Sequence, residues 1–216
     1  MRPAPIDPPE VEDRLWSDIR GDVAWDIGAN CGQSYPHLVL RFNAVYGFEP
    51  AKECADYLEA IEAPNYSWLP IAISSEDGQV DLIDIPDKIS TGQLVSLDAE
   101  GMEYDPRRAD AAARTVICRT VDSLINQGEV PAPDFMKIDV EGHEFQVLYG
   151  ARSTLAVKRP SILLEFHSRE LHRKCVDLLH KLGYSSMTIR HPHYPPGSDL
   201  WLAHGWVHCW VPDQYR

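Results

Sequence analysis

The chain has 216 residues, 44% hydrophobic and 25% charged, enough apolar side chain to close one α/β core. Its formal net charge of −13 repels phosphate backbones, which argues against nucleic acid as a partner. No window is apolar enough to span a bilayer, and the opening Met1-Arg2-Pro3-Ala4-Pro5-Ile6-Asp7-Pro8-Pro9 lacks the apolar core of a secretory signal.

Residues 1–20 read as a proline-stiffened tail and a short covering helix, Val11 to Ile19, with Val11, Leu15, Trp16 and Ile19 on one face. Residues 21–216 read as a single domain. Val23–Ile27 is the first strand, and Gly28-Ala29-Asn30-Cys31-Gly32 is a turn. Gln33–Phe42 is a helix with Pro36 tolerated in its opening turn. Ala44–Phe48 is a second strand ending at Glu49-Pro50, Lys52–Ile61 a helix, and Tyr66–Ile73 a third strand. Ser74-Ser75-Glu76-Asp77-Gly78 is turn chemistry, and Gln79–Ile85 alternates as a returning strand does. Residues 86–114 carry no periodicity and read as a lid or acceptor-binding loop, with a disordered insertion as the alternative.

Beyond it, Thr115–Arg119 is a strand, Val121–Asn126 a helix and Phe135–Val140 a strand. Phe145–Leu155 is a helix and Ser161–Phe166 a strand. Arg169–Leu182 is an amphipathic helix stopped at Gly183, and Ser186–Ile189 and Trp206–Val211 are the closing strands. Alternating strands and helices predict a mostly parallel, doubly wound sheet covered on both faces. Such sheets bind ligands at the carboxyl ends of their strands, which gathers Asp26, Glu49, Ala72, Asp139, Glu165 and His167 along one rim.

Strand, glycine turn and helix start together form a cradle for a nucleoside-bearing cofactor. Asn30 stands where the dinucleotide fingerprint needs a glycine, so the spacing points to S-adenosylmethionine rather than to a nicotinamide. Glu49 lies 23 residues after Asp26, the place of a ribose-binding acid, although an acid there also suits the next helix's dipole. Asp26 is read as a brace for its turn and a cofactor contact. In Lys137-Ile138-Asp139-Val140-Glu141-Gly142-His143-Glu144, Asp139 is expected near the cofactor and Glu144 as a helix-start acid. Lys137 is placed on the surface, on the face opposite to Asp139.

Several segments occur in order: Asp26 to Gly32, Gly47-Phe48-Glu49-Pro50, Ala72 to Gly78, Arg119-Thr120-Val121-Asp122, Lys137 to Glu144, Gly150-Ala151 and Leu164-Glu165. Together they resemble the FkbM family of methyltransferases. The resemblance implies a class I methyltransferase (Rossmann-like) fold, a seven-stranded sheet whose last strand is antiparallel. It implies S-adenosyl-L-methionine as cofactor and methyl transfer to a hydroxyl oxygen of a sugar, glycan or natural-product acceptor. Asp26, Gly28, Asn30 and Gly32 match the cofactor loop, Glu49 the ribose acid, and Ala72 the adenine-side strand end. Asp139 and Glu141 match the site facing the methyl group.

Asp139, Glu141, His143 and His167 are the candidate catalytic residues, with Asp139 positioning acceptor or cofactor and His143 or His167 taking the proton. A metal-assisted route through Asp139, Glu141, Glu165 and His167 ranks below a metal-free one, because the spacing matches no standard metal motif. His191, His193, His204, His208 and Cys209 lack the spacing of a zinc site. The five cysteines are scattered, as free thiols in a reducing cytoplasm would be. Trp206 and Trp210 are read as packing on one face. For the C-terminal aromatics as a set, acceptor stacking and a homodimer contact remain open. The rival readings are a nicotinamide-binding protein, a cofactor-binding module without catalysis, and a methyltransferase acting on protein or RNA.

Overall fold

The structure, a computed structural model, describes residues 16, 19–84, 93–94, 112–190 and 194–212. Most of the N-terminal tail and helix, and most of 86–114 with its expected lid, lie outside the described residues.

Among the described residues, eleven strands form two sheets. The main sheet contains β1 (Gly21–Ile27), β2 (Phe42–Phe48), β3 (Tyr66–Leu69), β8 (Phe135–Ile138), β9 (Ser161–Phe166), β10 (Ser185–Arg190) and β11 (Gly205–Trp210). Its order is β10-β11-β9-β8-β1-β2-β3. β11 runs antiparallel to both neighbours, while the β2, β3, β8 and β9 pairings are parallel. This is the doubly wound sheet that the alternation predicts, with the antiparallel last strand that the resemblance implies. The second sheet orders β4 (Ala72–Ile73), β7 (Ala112–Arg119), β5 (Gly78–Asp84) and β6 (Gln93–Leu94) as β4-β7-β5-β6.

Strand parity divides the core. Trp25, Ile27, Met136, Ile138, Ile162, Leu164 and Phe166 face α4 (Glu144–Gly150), α5 (Arg152–Val157) and α6 (Arg169–Lys181), meeting Val147, Leu148, Leu155, Leu171 and Leu179. Ala24, Phe42, Val45, Phe135 and Leu163 face the other way, against Trp16, Ile19 and Leu38. Central parallel strands are buried on both sides, which is why β8 has no exposed position.

Several expectations change, one being that the helix read over Lys52–Ile61 is a 3₁₀ turn, Lys52–Cys54, followed by the short α2 (Ala55–Glu59). The third strand is two: β3 ends at Leu69, and β4 resumes at Ala72 in the other sheet, with Pro70 between them unable to donate a ladder bond. The helix expected from Gln33 is the five-residue α1 (Tyr35–Val39), after a longer turn and with proline in its opening turn as anticipated. The single helix expected over 145–155 is α4 and α5, parted at Ala151. Asp122, at the start of α3 (Val121–Asn126), accepts the Ser153 and Thr154 amides at 2.9 Å and so starts α5 afresh. Within 86–114, the described parts are β6 and the first residues of β7.

Asp134 ties the lower ends of β1 and β8 together. Its carboxylate accepts the Asp22 and Val23 amides at 2.9 and 3.0 Å and pairs with Lys158 at 2.9 Å. Burial opposes the charge, but Lys158 and the two amides outweigh it and hold the carboxyl below its usual range. This stabilisation is present above the ordinary aspartate value of about 3.9 and is lost as pH falls through the lower folded value. Asp134→Ala should cost about 1–2 kcal/mol at pH 7 in urea unfolding, with the gap to the parent closing below about pH 4.

Candidate active site

The site lies where β1, β2 and β8 end, with β4 and β5 closing one side. Gly28 takes φ +77° and Asn30 φ +49°, so the chain turns sharply out of β1. The amides of Gly28 and Ala29 both donate to Phe48 O, at 3.0 and 3.1 Å, which staples the turn to β2. Glu49 completes the staple: Oε2 accepts the Asn30 amide at 2.9 Å and Oε1 the Ala51 amide at 2.7 Å. Burial raises its pKa, and those two amides work against the rise. A carboxylate has about four acceptor sites, so capacity remains for a ligand.

A cleft opens over this turn. It is lined by Gly28, Asn30, Glu49, Ala72, Asp139 and Glu141, with Ile27, Phe48, Ile73, Leu82 and Val140 as its apolar walls. Leu82 belongs to the second sheet, a wall that the sequence pattern does not reveal. Gly32 takes φ +84° and is not among the lining residues; a Cβ there would meet Ile61, Tyr35 and Leu58.

Lys137 overturns its expected surface position. It is 8% exposed, and its Nζ donates to Gly28 O at 2.6 Å. It pairs with Asp26 Oδ1 at 3.2 Å and lies 3.5 Å from Asp139 Oδ2. The physical reason is parity: positions 137 and 139 are two apart, so an extended chain puts them on the same side. β1–β8 register then sets Lys137 beside Asp26. Burial alone would lower the lysine's pKa, but Asp26 and Asp139 reverse this and hold it above the ordinary range. Asp26 is fully buried, its pKa raised by burial and opposed by Lys137. It lies beneath the turn, outside the cleft lining.

Past β8, Glu141 adopts φ +51° and Gly142 φ +101°, and Glu141 joins the cleft wall. His167, just after β9, comes within 3.8 Å of Asp139 and 3.6 Å of Glu141 through Nε2. Its Nδ1 meets Glu144 Oε1 at 3.0 Å. Burial disfavours the imidazolium, but Glu141, Glu144 and Asp139 outweigh this and raise its pKa well above the usual value. Glu144 does open α4, as expected, but it is wholly buried and also accepts the Gly142 amide. Its link to His167 has no signal in the sequence, since it joins residues 23 apart from different elements. Glu165 accepts Trp206 Nε1 at 3.0 Å, and burial beside Asp139 raises its pKa.

His143 is not part of this group. It is 3% exposed, and its Nε2 meets Ser74 Oγ at 2.9 Å. Burial pushes its pKa down to about 4. Trp206 and Trp210 do share a face of β11, opposite the more buried Val207 and Cys209. All five cysteines are free, with Cys31 and Cys54 Sγ atoms 3.1 Å apart beside the turn.

Sheet order, antiparallel last strand and a glycine turn at the rim define a class I methyltransferase fold. The chain matches the Methyltransferase FkbM domain over residues 26–186 and belongs to that family. It is 29% identical over 149 residues to the hexuronic acid methyltransferase AglP of Haloferax volcanii, across 68% of this chain and 56% of that protein. It thus spans little more than half the length of that relative. Among solved structures, the methyltransferase FkbM of Methylobacillus flagellatus KT superposes with a TM-score of 0.57 at 18% identity, covering 90% of this chain and 45% of that one. A Streptococcus mutans protein in complex with SAH superposes with a TM-score of 0.52 at 11% identity, covering 97% and 99%. Among the described residues, no helix is long and apolar enough to cross a membrane.

Proposed function

We propose that the chain moves a methyl group from S-adenosylmethionine to a hydroxyl oxygen of a sugar-type small molecule or glycan. The observation that carries this reading is one cleft in which the glycine turn and Glu49 stand beside Asp139 and Glu141. The residues suit the cofactor. Backbone without a side chain at Gly28 allows close approach, and Glu49 keeps unused acceptor sites for a ribose diol. Phe48, Ile73 and Leu82 offer apolar surface to a flat base. When bound, the cofactor supplies a methyl group already activated on a sulfonium.

The protein's contribution is then alignment and proton handling. Holding the acceptor in line contributes roughly 7–11 kcal/mol in well-oriented systems. Asp139 and Glu141, on the open side of the turn, are the groups that would hold the acceptor's oxygens. His143, bonded to Ser74 and outside the cleft lining, is left out of the proton path. The relative named for a hexuronic acid supports a sugar acceptor, and the acidic surface weighs against RNA.

Calorimetric titration with S-adenosylhomocysteine tests the cofactor half. The parent chain should bind it and ignore NAD, and Glu49→Gln should bind about 10–100-fold more weakly, the loss of one or two charge-assisted hydrogen bonds. Equal binding by parent and Glu49→Gln would remove Glu49 from the site. Methyl release onto uronic acid glycosides, compared with the same sugars lacking free hydroxyls, tests the acceptor half.

A further inference from the structure

His167 is held from behind and presented forward. Glu144 Oε1 meets Nδ1 at 3.0 Å, so when the imidazole gives up a proton to take a cation, Nδ1 keeps its own and Nε2 carries the lone pair. The His167 side chain is 10% exposed, and among the described residues Nε2 faces only carboxylates beyond hydrogen-bond distance, Glu165 Oε1 at 3.9 Å among them. It looks onto Glu141 Oε2 at 3.6 Å and Asp139 Oδ1 at 3.8 Å. One ligand atom from each of the three residues lies within 4.8 Å of the other two. Ligands about 2.1 Å from a common cation sit roughly 3–4 Å apart, so one ion spans this triangle with small side-chain adjustments. Asp139 meanwhile turns Oδ2 toward Lys137, and Glu165 is engaged by Trp206.

We propose that Asp139, Glu141 and His167 bind one divalent first-row transition-metal cation, with Glu144 orienting the imidazole. An imidazole beside two carboxylates favours a first-row transition ion over Mg²⁺ or Ca²⁺, which prefer oxygen alone, and Mn²⁺ accepts both donor types. A carboxylate behind a ligating histidine is the usual outer support of such sites. Three protein ligands leave positions for neighbouring oxygens of a sugar. Resting on the methyl-transfer reading above, the ion would orient the acceptor and make its hydroxyl more acidic, the proton leaving to water as the oxygen–carbon bond forms and the carbon–sulfur bond breaks.

The test is titration of the chelator-stripped full chain with Mn²⁺, reading free Mn²⁺ by its paramagnetic resonance signal. One bound ion per chain is expected, weakened about 10–100-fold in Glu144→Gln and further in His167→Leu. Should His167→Leu not fold, Asp139→Asn must show the loss instead. Absence of a saturable site in the parent, or unchanged Mn²⁺ binding in Glu144→Gln and Asp139→Asn, overturns the proposal. S-adenosylhomocysteine binding and methyl transfer in chelator, without Mn²⁺ binding, overturn the metal site and leave the methyl-transfer reading intact. Mn²⁺ binding without S-adenosylhomocysteine binding does the reverse.

Discussion

Replacing Lys137 with methionine should lower the free energy of unfolding by about 3–5 kcal/mol at pH 7, the cost of leaving a buried charge without its partner. Methionine fills similar space, so the loss is electrostatic rather than a cavity. Asp26 is fully buried, and Lys137, 3.2 Å from its Oδ1, is the cation that pairs with it. Without the lysine, burial acts on Asp26 unopposed and raises its folded pKa further. A group with a raised folded pKa stabilises most at low pH and loses that contribution as pH climbs through the folded value. The deficit of Lys137→Met should therefore shrink as pH falls from 7 toward 4. Adding Asp26→Asn to Lys137→Met should recover more than half of the loss at pH 7, because the stranded charge is gone. Urea unfolding of the two variants across that pH range is the measurement. A loss below about 1 kcal/mol in Lys137→Met would mean that the pair is solvated in solution.

The same residue shows where sequence reasoning reaches and where it stops. The mostly parallel, doubly wound sheet is legible because alternation of apolar runs with helical periods dictates it, whereas the antiparallel last strand comes only from the family resemblance. The cleft turn is legible because Gly28 and Gly32 both take positive φ, a demand that residue type declares. Lys137 was within reach: two residues from Asp139, it had to share that residue's side of β8. Other links are invisible in one dimension. Asp77 accepts the Thr120 amide and the Ser123 hydroxyl, both at 2.7 Å, so the turn after β4 is clamped to the start of α3. Two motifs that look functional in sequence are thus partly braces for one another. Glu144 is the opposite case. It looks like a helix-start acid and also controls the orientation of a histidine in the site.

Gly28→Ala should be the more damaging change for function, and a second glycine separates its causes. At φ +77°, any L side chain at 28 costs about 1–2 kcal/mol in backbone strain alone. A Cβ there would also collide with the backbone carbonyl of Asp139, which cannot swing aside as a side chain can. The Asp139 amide is bonded to Ile27 O at 3.0 Å, and the Gly28 amide to Phe48 O. The turn is therefore wedged between β2 and β8. Gly128 has a similar φ of +70°, but open space surrounds its missing Cβ. Gly128→Ala should cost only the strain, about 1–2 kcal/mol, and leave S-adenosylhomocysteine affinity unchanged. Gly28→Ala should cost about 3 kcal/mol or more and weaken that affinity by at least 100-fold, because the turn must leave its place between the strands. Denaturant unfolding and calorimetry on both variants read the two terms separately. Equal stability losses in the two alanine variants would show that β8 gives way and that Gly28 serves only the local turn.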